Sequence, residues 1–358
     1  MLIGANVPAS GGLLPALDRG AAIGADVIQI FTQSPRAWKP NAYDLDVFER
    51  YRRAQAVHPG VRATFCHASY LINVATSEPE LLAKSRSCLL ENLRVASAIG
   101  SSGLVLHLGS HRGVGFEAVR RPIASELLRA LDHVEQMLGT PACRILMENT
   151  AGAGGTCGRD FSELAAVLDA AGADERIGAC LDTQHLFAAG ATYARFPQAD
   201  AVVRNIAATI GLDRLMCIHL NDSKTARGSN RDRHANVGEG LIGATELGSL
   251  LGHPRLQGVP AILEVPGFEG HGPGAADVAA ARRIHAAGVR RWHKRQNGPG
   301  QSISSPAAPA QTTERARLVN PQLAPAARAP GPDGPATPPP PQGPPRAPGA
   351  RTSSPPGR

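Results

Sequence analysis

Eight short apolar runs, separated by longer amphipathic stretches over about 285 residues, predict an α/β chain closed into a (β/α)8 barrel, a fold of roughly 250 residues. The runs are near-continuously apolar, as strands buried on both faces of a parallel sheet are. An open doubly wound sheet is the alternative, but it would carry a Gly-rich phosphate turn after its first strand. GANVPASGG at residues 4–12 does not fit that fingerprint, which favours the barrel.

In order, the strand candidates are LIGANV (2–7), DVIQIFT (26–32), ATFCHAS (63–69), GLVLHLG (103–109), RILMENT (144–150), IGACLDT (177–183), LMCIHLND (215–222) and AILEVP (261–266). The clearest helices between them are 81–100 and 116–138, where apolar residues recur at spacings of three and four. Gly100 is placed to end the first of these as a C-cap. The chain divides into a barrel domain, 1–289, and a tail, 290–358. Beyond about residue 296 the tail holds more than half of the chain's 30 prolines and almost no large apolar residues. Ordering it would cost more entropy than burial could return, so it is expected to be disordered with local polyproline II character.

The net charge of +7 is unevenly spread. From Arg290 onward ten Lys and Arg face only Glu314 and Asp333, so residues 1–289 carry a net −1. The basic character belongs to the tail, with the RRWHKR run at 290–295 its densest part. Six cysteines (Cys66, Cys88, Cys143, Cys157, Cys180, Cys217) form no CxxC pair or regular framework, which suits free thiols in a reducing compartment. MLIGANVPASGG lacks a basic segment followed by an apolar core, and no stretch of 18 apolar residues occurs. A soluble, cytoplasmic protein without membrane partners is expected.

Ionisable residues fall in register on the predicted strands. His67, His107, Glu148, Asp182, His219 and Glu264 lie at or near the ends of strands 3 to 8. His185 follows Asp182 by three residues, and Asp232 and His234 lie in the loop after strand 7. The C-terminal rim of a barrel is where active sites are built. Taken singly, each has an ordinary explanation: a satisfied core histidine, a capping carboxylate, a solvated HxxD or DxH turn. Four carboxylates and five histidines in one mouth are different, because like charges there are expensive to bury unpaired. Divalent cations would offset that charge. At three or four ligands each, nine ligands suggest two or three ions, with a shared carboxylate if one bridges.

FCHASYLINVA, LHLGSH, LMENTAGAG, CLDTQHLFAAG, IHLNDSK, RDRHANVGEGLIG and ILEVPGFEG closely resemble motifs of the endonuclease IV family of abasic-site endonucleases, in that family's order and spacing from residue 2 to about residue 288. The resemblance implies a trinuclear zinc (β/α)8 barrel, acting as a monomer on duplex DNA. It would cleave 5′ to abasic sites and leave a 3′-hydroxyl and a 5′-deoxyribose phosphate. It implies a first zinc on His67, His107 and Glu148, and a second on Glu148, Asp182, His219 and Glu264. A third would sit on His185, Asp232 and His234, with manganese able to replace zinc at one site. Glu148 and Glu264 become the catalytic carboxylates around a hydroxide held between the first two ions. Arg36, Tyr70 and Leu71 become DNA contacts at the lesion.

The sequence departs from the family pattern at HLGSH for HPGSH, DTQH for DTCH, EVPG for ETPG, and Asn6 where a histidine is common. None touches an implied ligand, but Leu108 and Gln184 flank ligands and stand to alter how they are held. Asp222 reads as a local hydrogen-bonding residue. The rival reading is a sugar isomerase or epimerase of the xylose-isomerase-like class with one or two metals. Such an enzyme requires neither the Asp232/His234 pair nor a SYLIN-like loop.

Overall fold

A strand that alternates inward and outward around a closed barrel places every second side chain in the interior, and the eight apolar runs do this. A computed structural model of the chain describes residues 1–297. Its strands are β1 (Ile3–Asn6), β2 (Val27–Phe31), β3 (Ala63–His67), β4 (Leu104–Leu106), β5 (Ile145–Glu148), β6 (Ile177–Asp182) and β7 (Leu215–His219), then a short antiparallel hairpin of β8 (Asp222–Ser223) and β9 (His234–Ala235), and finally β10 (Ala261–Leu263). All but the hairpin join one closed parallel barrel in the order β1-β10-β7-β6-β5-β4-β3-β2. Closure removes sheet edges altogether. The chain is therefore the predicted (β/α)8 TIM barrel.

The helices are α1 (Leu14–Ala22), α2 (Leu45–Ala56), α3 (Pro79–Ala98), α4 (Phe116–Leu138), α5 (Phe161–Ala170), α6 (Thr183–Ala188), α7 (Phe196–Thr209), α8 (Gly243–Leu251) and α9 (Ala275–Gln296). At the end of α3 the backbone turns left-handed at Gly100, φ 72°. Gly100 N–H donates to Ser97 O at 3.0 Å and Ser101 N–H to Ala96 O at 2.9 Å, so the freed carbonyls are satisfied by a Schellman turn. A side chain with a Cβ would be strained there.

The interior is layered. Val27, Ala63, Phe65, Val105, Leu146, Cys180, Cys217 and Ile262 form a small buried apolar cluster inside the barrel. Two residues further along the same strands stand Gln29, His67, His107, Glu148, Asp182, His219 and Glu264. The period of two thus lifts a polar ring onto an apolar floor. A larger apolar layer, which includes Ile28, Ile30, Leu104, Leu106 and Ile145, lies between barrel and helices. All six cysteines are free thiols. No helix among the described residues is long and apolar enough to cross a membrane.

The division drawn at 289/290 falls inside α9, which continues to Gln296. Trp292 is the reason. It is buried, donates from Nε1 to Ser249 O at 2.8 Å and packs edge-on against Phe196 and His253. The basic run at 290–295 is thus helical, with one face packed on the barrel. The tail from residue 298 lies outside the described residues. Helices α8 and α9 cross at Gly248 and Gly288, where a Cβ on Gly288 would collide with the Gly248 carbonyl. Gly288→Ala should therefore destabilise the barrel by about 1–3 kcal/mol, the usual range for forcing extra volume into a packed contact. Chemical denaturation would read this; an unchanged midpoint would contradict the close crossing.

Candidate metal centre

The polar ring converges on Glu148, which has no exposed surface. Its Oε2 lies 2.8 Å from His107 Nε2 and 3.3 Å from His67 Nε2. Its Oε1 lies 3.1 Å from His219 Nδ1 and 3.2 Å from His185 Nδ1. Glu264 Oε2 approaches the same His219 nitrogen at 3.1 Å. Further out, Asp232 reaches His185 Nε2 at 3.2 Å and His234 Nε2 at 3.1 Å, with Asp182 3.8 Å from His234. Among the groups whose ligand atoms lie within 4.8 Å of one another are His67, His107 and Glu148; Glu148, Asp182, His219 and Glu264; and Asp182, His185 and His234. All nine residues named from the sequence lie in this one cluster, and Glu148 and Asp182 each belong to two of these groups; in the third, Asp182 stands where Asp232 was expected, while Asp232 contacts His185 and His234 from outside it.

The ring nitrogens are arranged as metal ligands require. His67 Nδ1 meets Ala68 O at 2.8 Å, His185 Nδ1 meets Asn149 O at 2.9 Å, and His234 Nδ1 meets Glu264 O at 3.2 Å. His219 Nε2 meets Gln29 Oε1 at 2.8 Å. A carbonyl oxygen only accepts, so each of these nitrogens carries a proton, and when the ring is neutral the other nitrogen presents its lone pair toward the cluster. His234 Nε2 is buried and, although Asp232 lies 3.1 Å away, makes no well-directed hydrogen bond to it, which suits a position where a cation sits between the two. The residues present fit divalent metal.

Three residues that hold the ligands were not singled out from the sequence. Gln29 Nε2 donates to Glu264 Oε1 at 2.6 Å while its Oε1 takes the His219 proton, so one amide joins β2, β7 and the end of β10. Asn149 Oδ1 accepts from Asp182 N–H at 2.7 Å. Asn221 donates to Asp182 Oδ2 at 2.6 Å and accepts from Glu264 N–H at 3.0 Å. The signal existed: Gln29 is two residues beyond inward-facing Val27, and the two asparagines sit beside ligand positions.

The loops take the remaining candidates. Tyr70, 48% exposed, stands edge-on to His67 at 5.2 Å and to His107 at 5.9 Å. Its N–H and the Ser69 hydroxyl both donate to Pro35 O, at 3.0 and 2.9 Å. Exposed Arg36 and half-buried Leu71 are thereby held on one rim with it. Asp222 is no ligand; its carboxylate accepts from the N–H groups of Ser223, Gly238, Ile242 and Gly243 and pins both ends of the β7 loop. Leu108 is buried in the apolar layer, and Asn6 leaves its Oδ1 buried without a partner.

At His107, Glu148, His185, His219, Asp232, His234 and Glu264 burial works against the charged form, and the opposite charges overcome it. His107 and His219 hold Glu148 well below the usual carboxylate range. His219 likewise holds Glu264 at about 2. Glu148 raises His107, Asp182 raises His185, and Glu264 raises His219; His234 rises to about 9 beside Asp232 and Asp182. Protein stripped of metal should owe stability to these pairs. The part from His234 is full below its ordinary 6.5 and lost as pH rises through about 9. The part from Glu264 is full above 4.5 and lost as pH falls through about 2. Thermal melts of chelator-treated protein should therefore peak between pH 4.5 and 6.5; a Tm that stays flat or climbs toward pH 9 would contradict this. Metal needs the same ligands deprotonated, so its stabilisation grows with pH instead.

A family model described as xylose isomerase-like TIM barrel matches residues 17–287. A protein of Halorhodospira halophila named probable endonuclease 4 is 42% identical over 265 residues, 74% of this chain and 88% of that one. One of the same name from Oleidesulfovibrio alaskensis is 38% identical over 284 residues, 79% of this chain and 95% of that one. The crystal structure of endonuclease IV from Thermus thermophilus is 32% identical with a TM-score of 0.68, covering 81% of this chain and 100% of that one. With the barrel, the His and carboxylate mouth and these relatives in agreement, the chain belongs to the endonuclease IV family of xylose isomerase-like TIM barrels.

Proposed function

We propose that the chain is a metal-dependent DNA repair endonuclease that hydrolyses the phosphodiester 5′ to abasic sites, leaving a 3′-hydroxyl and a 5′-deoxyribose phosphate. The observation that carries the reading is the outer cluster of His185, Asp232 and His234 set against the two inner groups beneath exposed Tyr70. Three zinc ions would be held: by His67, His107 and Glu148; by Glu148, Asp182, His219 and Glu264; and by His185, Asp232 and His234. Manganese is able to take one of these places. A one- or two-metal sugar isomerase has no need of the third set. Every ligand comes from one chain, within residues 1–289, so a monomer is sufficient.

Bound there, zinc neutralises phosphate charge and lowers the pKa of water from about 15.7 to about 7, which supplies a nucleophile at neutral pH. The chain's own residues do the rest. Glu148, with both oxygens among histidines, holds the inner groups together. Glu264 keeps its Oε1 on Gln29 and turns Oε2 toward the site to orient the water. Asp232 and His234, with His185, would hold the charge that stabilises the leaving 3′-oxygen. Exposed Arg36, Lys39, Lys224, Arg227, Arg231 and Arg233 on the loops after β2 and β7 suit the DNA backbone. An abasic nucleotide has no base to unstack, so turning it into the mouth costs less than extruding an intact one. Tyr70 and Leu71 are placed to fill the gap left in the stack.

Cleavage of a duplex carrying one abasic analogue, with and without chelator, tests the reading. A metal-dependent cut on the 5′ side is expected; a 3′-side cut, or one indifferent to chelator, would overturn it. His107→Ala should lower bound metal and slow cleavage by at least about 10–100-fold, the cost of losing only a ligand's hydrogen-bond partner. Tyr70→Ala should leave metal content intact and raise KM for DNA about tenfold, within the range for losing one aromatic stacking partner. An unchanged KM would remove Tyr70 from the DNA interface.

A further inference from the structure

We propose that Gln184 is the positioning residue of the outer metal group: its side-chain amide clamps the β8–β9 hairpin and so sets the reach of Asp232 toward His185 and His234. The inference rests on the three-metal reading given above. It begins with α6, whose first turn is capped by Asp182; the Asp182 Oδ1 accepts from His185 N–H at 2.7 Å. One turn of helix thus delivers Asp182 to the middle of the cluster and His185 to its outer edge. Gln184 stands between them, fully buried.

Its Nε2 donates to Arg231 O at 2.9 Å and to Ser223 Oγ at 3.1 Å. Arg231 O only accepts, and the Ser223 hydroxyl places its own proton on Thr225 O at 2.8 Å, so the amide nitrogen must face both. Gln184 Oε1 is buried without a partner. That is unfavourable, and the side chain is held by its donors alone. Arg231 directly precedes Asp232, and Ser223 is the register partner of His234 across the hairpin. A single amide therefore grips β8 and the loop that enters β9, beside Asp232 in that loop and opposite His234 on β9. The Asp232 side chain is itself 52% exposed, so its place depends on the backbone behind it. Two other contacts tie the loop to α6, Gly228 N–H to Phe187 O at 3.2 Å and Asn230 N–H to Ala188 O at 2.9 Å. Both are backbone bonds that survive a change at 184. A cysteine here, as in the DTCH form of the motif, is shorter and has one weak donor.

Gln184→Met keeps the length and volume of the side chain and removes both donors. In chelator-stripped protein, amide hydrogen exchange over 223–235 should quicken about tenfold or more, with the barrel strands unchanged. With zinc restored, one ion per chain should become about 10–100-fold easier to remove by chelator while the inner ions are unaffected. Equal exchange and equal zinc retention in Gln184→Met and wild type would overturn the proposal. Should that variant fail to fold, Gln184→Asn, one methylene shorter, is read against the same two measurements. A wild-type chain holding fewer than three zinc ions would sink the three-metal reading, and the metal-free exchange comparison would still decide whether Gln184 clamps the hairpin.

Discussion

A carboxylate with no contact with water, Glu148, sets the terms for the rest of this molecule. Removing such a charge from water costs on the order of several kcal/mol even after the protein relaxes. The barrel answers by surrounding it with nitrogen atoms of His67, His107, His185 and His219, all within 3.3 Å. Those histidines in turn need carboxylates, which Asp182, Asp232 and Glu264 provide. The result is a cluster that is stable only as a whole. Deleting one member leaves its neighbours buried and unbalanced, and the same mutual dependence makes the cluster a receptor for cations.

Around the charged cluster stands a second set of neutral amides. Gln29, Asn149, Asn221 and Gln184 each join different segments, and each does so without adding charge to a crowded site. A carboxamide both donates and accepts, so Gln29 can take the proton of His219 while giving one to Glu264. Asn221 can likewise hold the Asp182 carboxylate and the Glu264 backbone together. The Gln29 bond fixes which His219 nitrogen faces inward, and the Asn149 and Asn221 bonds fix the Asp182 segment beside it. They convert a loose collection of ligand types into a set with defined direction, which catalysis on a phosphodiester requires.

Support runs downward as well as outward. The apolar floor of Phe65, Leu146, Cys180, Cys217 and their neighbours excludes water from beneath the polar ring. The lower side of the site is therefore apolar and dry, and its upper side is lined by loops. The rim is built by loops, and there the loop after β3 leans on the loop after β2 through Pro35 O. Asp222 performs a comparable task for the long loop after β7, gathering backbone N–H groups up to 21 residues from it in sequence.

Much of this was legible in the residues themselves. Continuous apolar runs marked every barrel strand, the spacing of apolar residues bounded α4 at Phe116–Leu138, and the period of two placed six of the ligands on the inner face. Local rules suffice for such features because they depend on near neighbours. Three things waited for tertiary structure. Closure of the barrel brought Glu148 to 3.1 Å from His219, 71 residues away, and Gln29 to His219, 190 residues away. The hairpin of β8 and β9 appeared inside what reads as an irregular loop, because Gln184 holds it from outside its own sequence and Asp222, within it, ties it to N–H groups beyond its end. The end of the folded part moved past 289, because burial of Trp292 against Ser249 and Phe196 outweighs the basic residues around it. Residue types and their period thus determined which groups face the mouth; which atoms meet there was decided by the closing of the barrel, since only closure sets distances between residues far apart in the chain.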